Sequence, residues 1–109
     1  MSFVTHVFHS HQRIQNGRVV STDPVPRRAN FEYDSTGSNV IITIIPTLSP
    51  KRARLTRQLG FTLYYQGEDP CYRFELECWP DNGTIKRLSV FRDDTGVEYR
   101  FISNHQDRM

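Results

Sequence analysis

Turn signals recur at short intervals along this chain, and the segments between them alternate apolar and polar residues rather than repeating at helical spacing. Such alternation is typical of antiparallel strands, whose successive side chains point to opposite faces. The clearest example is CYRFELECWPDNGTIKRLSVFRDDTGVEYRFIS, residues 71–103, in which Gly83 and Gly96 mark two turns between three strands. The sequence therefore predicts an all-β protein with a C-terminal three-stranded meander.

The chain length fits one domain, because 109 residues match the size of a typical single core. We expect one antiparallel domain over residues 1–109, with about seven or eight short strands closed as a small barrel or folded as a sandwich. Upstream of the meander, Asn16-Gly17 predicts a tight hairpin that places Ile14 opposite Val19, and strands are expected at 31–34 and 40–45.

Side-chain pairing predicts the register of the first hairpin in the meander. A three-residue loop that ends at a left-handed Gly83 sets apolar residues opposite each other and an acid opposite a base. The pairs are Leu76–Leu88, Phe74–Val90 and Glu77–Arg87. A two-residue loop would instead place Glu77 opposite Leu88, so the longer loop is favoured.

The same loop geometry at Gly96 places Phe91 opposite Tyr99 and gives the meander a second apolar face. That face would carry Trp79, Ile85, Phe91, Tyr99 and Phe101. A sheet with two apolar faces must be covered on both. The leading hypothesis is therefore a non-enzymatic interaction module, such as a small regulator, inhibitor or assembly subunit, that uses this face for a protein partner or for a second copy of itself.

Residues 50–60 fit either a strand or a basic helix. Ser49 as a cap, Pro50 at the first position and Gly60 after the last turn favour a helix. The alternation of apolar residues favours a long strand that continues past Gly60 with a bend or bulge there. We favour the strand.

Basic residues are concentrated in the first part of the chain. Residues 1–60 carry eight Lys or Arg and three Asp or Glu (8 − 3 = +5), whereas residues 61–109 carry six and nine (6 − 9 = −3). Because arginine suits phosphate groups, the alternative hypothesis is nucleic-acid binding. Its residues are Arg27, Arg28, Lys51, Arg52, Arg54 and Arg57. The simpler interpretation is that these residues face the acids of the second part of the same chain.

Three of the four histidines lie in the stretch THVFHSH, and His105 lies near the other end of the chain. On a strand, His9 and His11 share a face, and His105 joins them if the first and last strands are neighbours. A second alternative is thus a metal site of His9, His11 and His105. The simpler interpretation, a polar strand rich in histidine, leads us to expect no cofactor.

The remaining features do not favour an enzyme. There is no phosphate-binding glycine loop, nucleophilic serine motif or zinc-type cysteine pair in the sequence. Cys71 and Cys78 are predicted on one strand, too far apart to bond each other. Free thiols, together with the lack of a signal sequence or an apolar run long enough to span a membrane, predict a cytoplasmic protein.

Overall fold

A computed structural model describes residues 2–104, which form one antiparallel sheet of ten strands. The predicted all-β antiparallel fold is confirmed, with ten strands rather than seven or eight. Residues 2–104 contain no helix, and hence no helix that could span a membrane. The strands are β1 (Ser2–Phe8), β2 (Ser10–Gln15), β3 (Arg18–Asp23), β4 (Arg27–Tyr33), β5 (Asn39–Ile45), β6 (Leu48–Leu59), β7 (Thr62–Gly67), β8 (Tyr72–Cys78), β9 (Ile85–Arg92) and β10 (Val97–Ile102).

The first four strands form one long hairpin with a break in each arm. Only His9 separates β1 from β2, and only residues 24–26 separate β3 from β4. Because β1 pairs with β4 and β2 with β3, residues 2–15 run antiparallel to residues 18–33. The turn is Asn16-Gly17, both with positive φ (51° and 80°), and Ile14 pairs with Val19 as predicted.

Strands β4 to β10 pair in chain order, and β1 and β2 of the hairpin flank this run at its two ends. At one end β4 pairs with β1, and at the other end β10 pairs with β2. At the break, the N–H of His9 donates to the carbonyl of Ile102 at 2.9 Å. The sheet therefore curls into a half-barrel with one inner and one outer face.

The inner face forms the hydrophobic core. Alternate residues of nearly every strand point inward, as the two-residue period of a strand requires. Aromatic rings from both ends of the sheet meet there, with the ring centroids of Phe8 and Phe101 5.9 Å apart. The largest fully buried side chains are Phe8, Phe31, Phe74, Phe101, Ile42, Ile44, Leu88 and Val90.

The two hairpins of the C-terminal meander differ in how well the sequence predicted them. The β8–β9 register is confirmed, including Leu76 with Leu88 and Glu77 with Arg87, and Gly83 has a φ of 73°. The β9–β10 register is wrong by one residue, because the loop has four residues, 93–96, and Arg92 pairs with Val97. Tyr99 and Phe101 therefore lie on the inner face, opposite Val90 and Leu88.

Residues 50–59 lie within β6, so the strand interpretation is confirmed and the helical alternative is wrong. The strand does not continue past Gly60, which has a φ of 58° and forms a turn with Phe61. The chain reverses there, and Leu59 pairs with Thr62. The bulge lies further back, between Leu55 and Arg57.

Candidate nucleic-acid interface

The six basic residues predicted to bind nucleic acid separate into two groups. Four are exposed on the outer face of β4 and β6, and we call them the basic surface: Arg28, Arg52, Arg54 and Arg57. The other two, Arg27 and Lys51, have the same parity as the inward residues of β4 and β6 and lie at one end of the half-barrel. There, Nε of Arg27 donates to Oγ1 of Thr47 at 3.1 Å, and Nζ of Lys51 lies 5.0 Å from the centroid of the Tyr72 ring.

Within residues 2–104, the four arginines of the basic surface have no carboxylate within 4.0 Å. Each basic residue of β8–β10, in contrast, has a carboxylate within 4.0 Å. Their pairs are Arg73–Asp93 (2.8 Å), Lys86–Glu77 (3.5 Å), Arg87–Glu77 (3.2 Å), Arg92–Asp94 (2.8 Å) and Arg100–Glu98 (3.0 Å). Among residues 2–104, no acid of the second part forms an ion pair with the basic surface, although Glu68 lies in the same row as Arg52. Five second-part acids pair instead with bases of their own part: Glu75, Glu77, Asp93, Asp94 and Glu98.

A cleft of about 400 Å³ lies on the basic surface across β4–β7. Its floor is one row of paired residues whose side chains point inward: Tyr33, Val40, Ala53 and Gly67. The rows on either side point outward and form the walls. One wall is Glu32, Ile41, Arg52 and Glu68, and the other is Asp34, Asn39, Arg54 and Gln66.

The cleft combines charges of both signs with neutral amides. Asp34 is held by its own turn, accepting hydrogen bonds from Oγ1 of Thr36 at 2.7 Å and Nδ2 of Asn39 at 2.6 Å. These bonds lower the pKa of Asp34 to about 2, so it stays charged at neutral pH. The cleft therefore offers guanidinium donors, carboxylate acceptors and amides that both donate and accept.

Aromatic side chains lie beside the basic surface at the β6–β7 hairpin. The guanidinium carbon of Arg57 is 4.5 Å from the centroid of the Tyr64 ring, its cross-strand partner. Near the turn, Leu59 and Phe61 are 55% and 53% exposed. The hairpin thus presents cationic and aromatic groups together, a combination that suits stacking of planar ligands.

The predicted partner-binding residues do not form one surface. Phe101 is fully buried, and Ile85 and Tyr99 pack against the core. Phe91 lies under the guanidinium of Arg73 at 4.2 Å, and the Trp79 ring lies under Nζ of Lys86 at 4.8 Å. The one-residue error in the β9–β10 register accounts for Tyr99 and Phe101, and the irregular β8–β9 pairing at Cys78 accounts for Ile85.

The histidines near the N-terminus have structural contacts. Nε2 of His6 shares a 2.5 Å hydrogen bond with Oγ of Ser103, the ring of His11 stacks on Phe101 at 5.5 Å, and Nδ1 of His9 accepts the N–H of Asn104 at 3.1 Å. His105 lies outside the described residues. Among residues 2–104, no group of three or more His, Cys, Asp or Glu is arranged to hold a metal ion.

Both cysteines are free thiols. Burial raises the pKa of the Cys78 thiol, and the neighbouring Glu77 raises it further. The pKa of Cys71 is also raised, by desolvation and by Asp94 and Asp69. A raised pKa keeps both thiols protonated near neutral pH, which makes them weak nucleophiles.

Sequence reasoning missed the polar wall residues of the cleft: Glu32, Asn39, Gln66 and Glu68. Outward alternation would have found Glu32 and Gln66, because each lies on a strand between two inward residues. No family model matches the chain, and neither a curated protein nor a solved structure matches it.

Proposed function

We propose that this protein is a non-enzymatic binding module that holds single-stranded nucleic acid on the basic surface. The observation that carries the proposal is the contrast between four exposed arginines that have no carboxylate within 4.0 Å among residues 2–104 and the paired bases of β8–β10. An unpaired guanidinium binds a phosphate without breaking an existing ion pair. Its planar fork also matches the geometry of a phosphate group.

The spacing along β6 supports a linear anionic ligand. Arg52 and Arg54 are two residues apart on one face, which separates their Cα atoms by about 6.6 Å. The bulge after Leu55 adds one residue, so Arg57 returns to the outer face. The three side chains form a line along the strand, as an extended phosphate backbone requires.

The cleft and the aromatic hairpin favour a single strand over a duplex. The Arg57 guanidinium lies over the Tyr64 ring, so a base can stack on this cation–aromatic pair, and the cleft offers the side-chain oxygens of Glu32, Asn39 and Gln66 as acceptors for base edges. The amide nitrogens of Asn39 and Gln66 already donate to Asp34 and to the carbonyl of Tyr72. Bases of a single strand are free to stack on such rings and to enter such a cleft, whereas paired bases are not.

A cytoplasmic location is part of this proposal. It is supported by Cys71 and Cys78, which are both free in the structure. Free thiols suit a reducing compartment, where single-stranded nucleic acid is also present.

The test is fluorescence anisotropy with labelled single-stranded DNA and RNA of about 20 nucleotides. We expect the affinity to fall steeply between ~50 and ~200 mM salt, because bound phosphates release counterions. The double variant R52Q/R54Q should bind about tenfold more weakly. The matched control is R87Q/R100Q, which removes the same charge from two arginines that already have carboxylate partners.

Three results would contradict the proposal. Undetectable binding at ~50 mM salt would exclude it. An equal loss in both double variants would show that only net charge matters. Tighter binding to a duplex of the same length would contradict the role of Tyr64 and the cleft.

Self-association is a second candidate, favoured by the exposure of β3. Five of its six residues are exposed, including Val19 and Val20, and it ends the sheet with its outer edge unpaired. Such an edge is a template for another strand. If two copies of β3 pair antiparallel about a centre between Val20 and Ser21, Arg18 of each lies opposite Asp23 of the other.

Sedimentation velocity tests this second candidate. Val20→Lys should shift a dimer to monomer, because it places two like charges near the centre of the pairing. Val25→Lys is the matched control, since Val25 is 46% exposed and lies outside the strands. A monomeric parent protein at all accessible concentrations would exclude self-association through β3.

A further inference from the structure

The cleft on the basic surface places an acid and an arginine on opposite sides of one strand. Glu32 of β4, Ile41 of β5 and Arg52 of β6 form one row of the sheet, because Glu32 pairs with Ile41 and Ile41 pairs with Arg52. All three line the cleft. Neighbouring strands are about 4.8 Å apart, so β5 separates the acid from the arginine by roughly 9.6 Å at the backbone.

Both of these charged groups are available to a ligand. Within residues 2–104, neither Glu32 nor Arg52 has an oppositely charged side chain within 4.0 Å. Asp34, the other acid of the cleft on this side, is already engaged, because its two oxygens accept from Thr36 and Asn39. Glu32 is therefore the acid that can accept hydrogen bonds from a ligand lying over β5.

The space between the two walls of the cleft fits a flat ring. Ile41 and Asn39 belong to opposite walls and are two residues apart on β5, so their Cα atoms are separated by about 6.6 Å. A planar base that stands edge-on between them lies about 3.3 Å from each, close to the ~3.4 Å spacing of stacked bases. In this orientation one edge of the base points to β4 and the opposite edge points to β6.

We propose that the cleft selects guanine from the single strand held on the basic surface, an inference that rests on the proposed function. Guanine has two adjacent donors, N1–H and the N2 amine, and two adjacent acceptors, O6 and N7. With its sugar toward solvent, the base directs these donors toward Glu32 and these acceptors toward Arg52. A carboxylate can accept two such bonds and a guanidinium can donate two.

The other bases satisfy this pair of side chains less well. Adenine, cytosine and thymine each have one donor group on their pairing edge, so each offers the Glu32 carboxylate a single bond. A bidentate contact typically discriminates against the wrong base by about 1 to 3 kcal/mol, which corresponds to roughly 5- to 150-fold in affinity. The cleft therefore adds base selectivity to the charge-driven binding of the arginines.

The test is competition against a labelled thymidine strand of about 20 nucleotides at ~50 mM salt. The competitors are unlabelled thymidine heptamers that carry guanine, hypoxanthine, adenine, cytosine or thymine at the central position. The guanine heptamer should compete about fivefold or more better than the adenine, cytosine and thymine heptamers. Hypoxanthine, which lacks only the N2 amine of guanine, should lose most of this advantage.

Two variants separate the hydrogen bonds of Glu32 from its charge. Glu68→Gln is the matched control for Glu32→Gln, because Glu68 lies on the other side of Arg52, where its N–H donates to the Arg52 carbonyl at 2.8 Å. One strand spacing, about 4.8 Å, leaves no room for a base between Glu68 and Arg52. Both variants should bind the thymidine strand at least as tightly as the parent protein, since each loses a negative charge. Only Glu32→Gln should bring the ratio of guanine to thymine affinity close to one.

The outcomes distinguish this inference from the proposed function. If the thymidine strand binds with the expected salt dependence and all heptamers compete equally, the inference is wrong and the proposed function stands. Equal loss of the guanine preference in Glu32→Gln and Glu68→Gln would also overturn it. No binding of the thymidine strand would overturn both. The guanine and hypoxanthine heptamers test the parent protein alone, so the inference is decided even if Glu32→Gln does not fold.

Discussion

The outer surfaces of β4–β7 and of β8–β10 carry the same kinds of basic side chain with different neighbours. In β8–β10, acids occur at pairing positions, as with Glu77 opposite Arg87, or close along the chain, as with Arg92 and Asp94. On β6, the partners in the strand register are uncharged: Ile41 for Arg52, Asn39 and Gln66 for Arg54, and Tyr64 for Arg57. Glu68, whose N–H donates to the carbonyl of Arg52, forms no ion pair with this arginine. The arrangement of strands, rather than composition, therefore determines which arginines are available to a ligand.

This difference contributes little to stability. Exposed ion pairs typically contribute about 0 to 1 kcal/mol, because solvent screens them and ordering long side chains costs entropy. Neither the pairs on β8–β10 nor the unpaired arginines on β6 are therefore needed to hold the sheet together. The two surfaces can be altered separately, which makes the comparison testable.

The largest expected effect tests whether Phe101 of β10 lies on the buried inner face while Phe91 of β9 lies on the outer face. Phe101→Ala should destabilise the protein by about 3 to 5 kcal/mol, because it leaves a cavity beside Phe8 in the core. Phe91→Ala, the matched change on the adjacent strand, should cost about 1 kcal/mol, because Phe91 is half-buried on the outer face beneath the Arg73 guanidinium. Urea unfolding measures both.

Similar losses in the free energy of unfolding for Phe101→Ala and Phe91→Ala would contradict the β9–β10 register. They would also restore the original prediction that Phe91 and Phe101 share a face. The paired and unpaired surfaces would then have to be assigned again.

A smaller effect should follow from converting the paired surface into an unpaired one. Glu75→Gln with Glu77→Gln releases Lys86 and Arg87 and weakens the contacts of Arg73. We expect the affinity for single-stranded nucleic acid at ~50 mM salt to rise a few-fold, with a steeper salt dependence. The same anisotropy assay measures this change.

A comparison variant changes carboxylates that form no ion pair within residues 2–104. Glu32→Gln with Glu68→Gln removes two acids that lie in the same row as Arg52 without releasing an ion-paired residue. This variant should raise the affinity through the local charge of the cleft, whereas a rise in Glu75→Gln with Glu77→Gln, which leaves the cleft intact, would come from the bases released on β8–β10. An unchanged affinity in the latter variant would show that ion pairing does not separate the two surfaces.

Local sequence chemistry predicted the parts of the fold that depend on neighbouring residues. The Asn16-Gly17 turn has the backbone angles expected from those two residue types, and the β8–β9 register follows from Leu76, Phe74 and Glu77 finding suitable partners. Strand β5 was also predicted from its apolar residues, of which Val40, Ile42 and Ile44 are buried. In each case, the determining interactions lie within one hairpin or one strand.

Features that depend on longer-range geometry were not predicted. The loop before β10 has four residues because the N–H of Gly96 bonds the carbonyl of Arg92, and Asp93 also bonds Cys71 of a different strand. The cleft combines residues from four strands, so no single segment contains its pattern. The separation of Lys51 from Arg52 likewise follows from which face of β6 is buried, which depends on the strands beside it.

The smallest expected effect concerns the turn that fixes one wall of the cleft. The folded-state pKa of Asp34, about 2, lies below its ordinary value of 3.8. Its charged form therefore stabilises the fold above about pH 4, and this contribution is lost as the pH falls through about 2. Asp34→Asn should lower the Tm slightly at pH 7, and the difference from the parent protein should shrink as the pH falls from 4 to 2.

Thermal unfolding of the parent protein, Asp34→Asn and Ser35→Ala across that pH range measures the contribution of the turn. Ser35→Ala changes the same turn but leaves the Asp34 carboxylate with Thr36 and Asn39, so it should keep the pH dependence of the parent protein. If Asp34→Asn also weakens nucleic-acid binding at pH 7, although it removes a negative charge, the turn acts by positioning Asn39 beside Arg54. Tighter binding would show instead that Asp34 opposes the ligand through its charge, and that the unpaired arginines alone distinguish this surface from β8–β10.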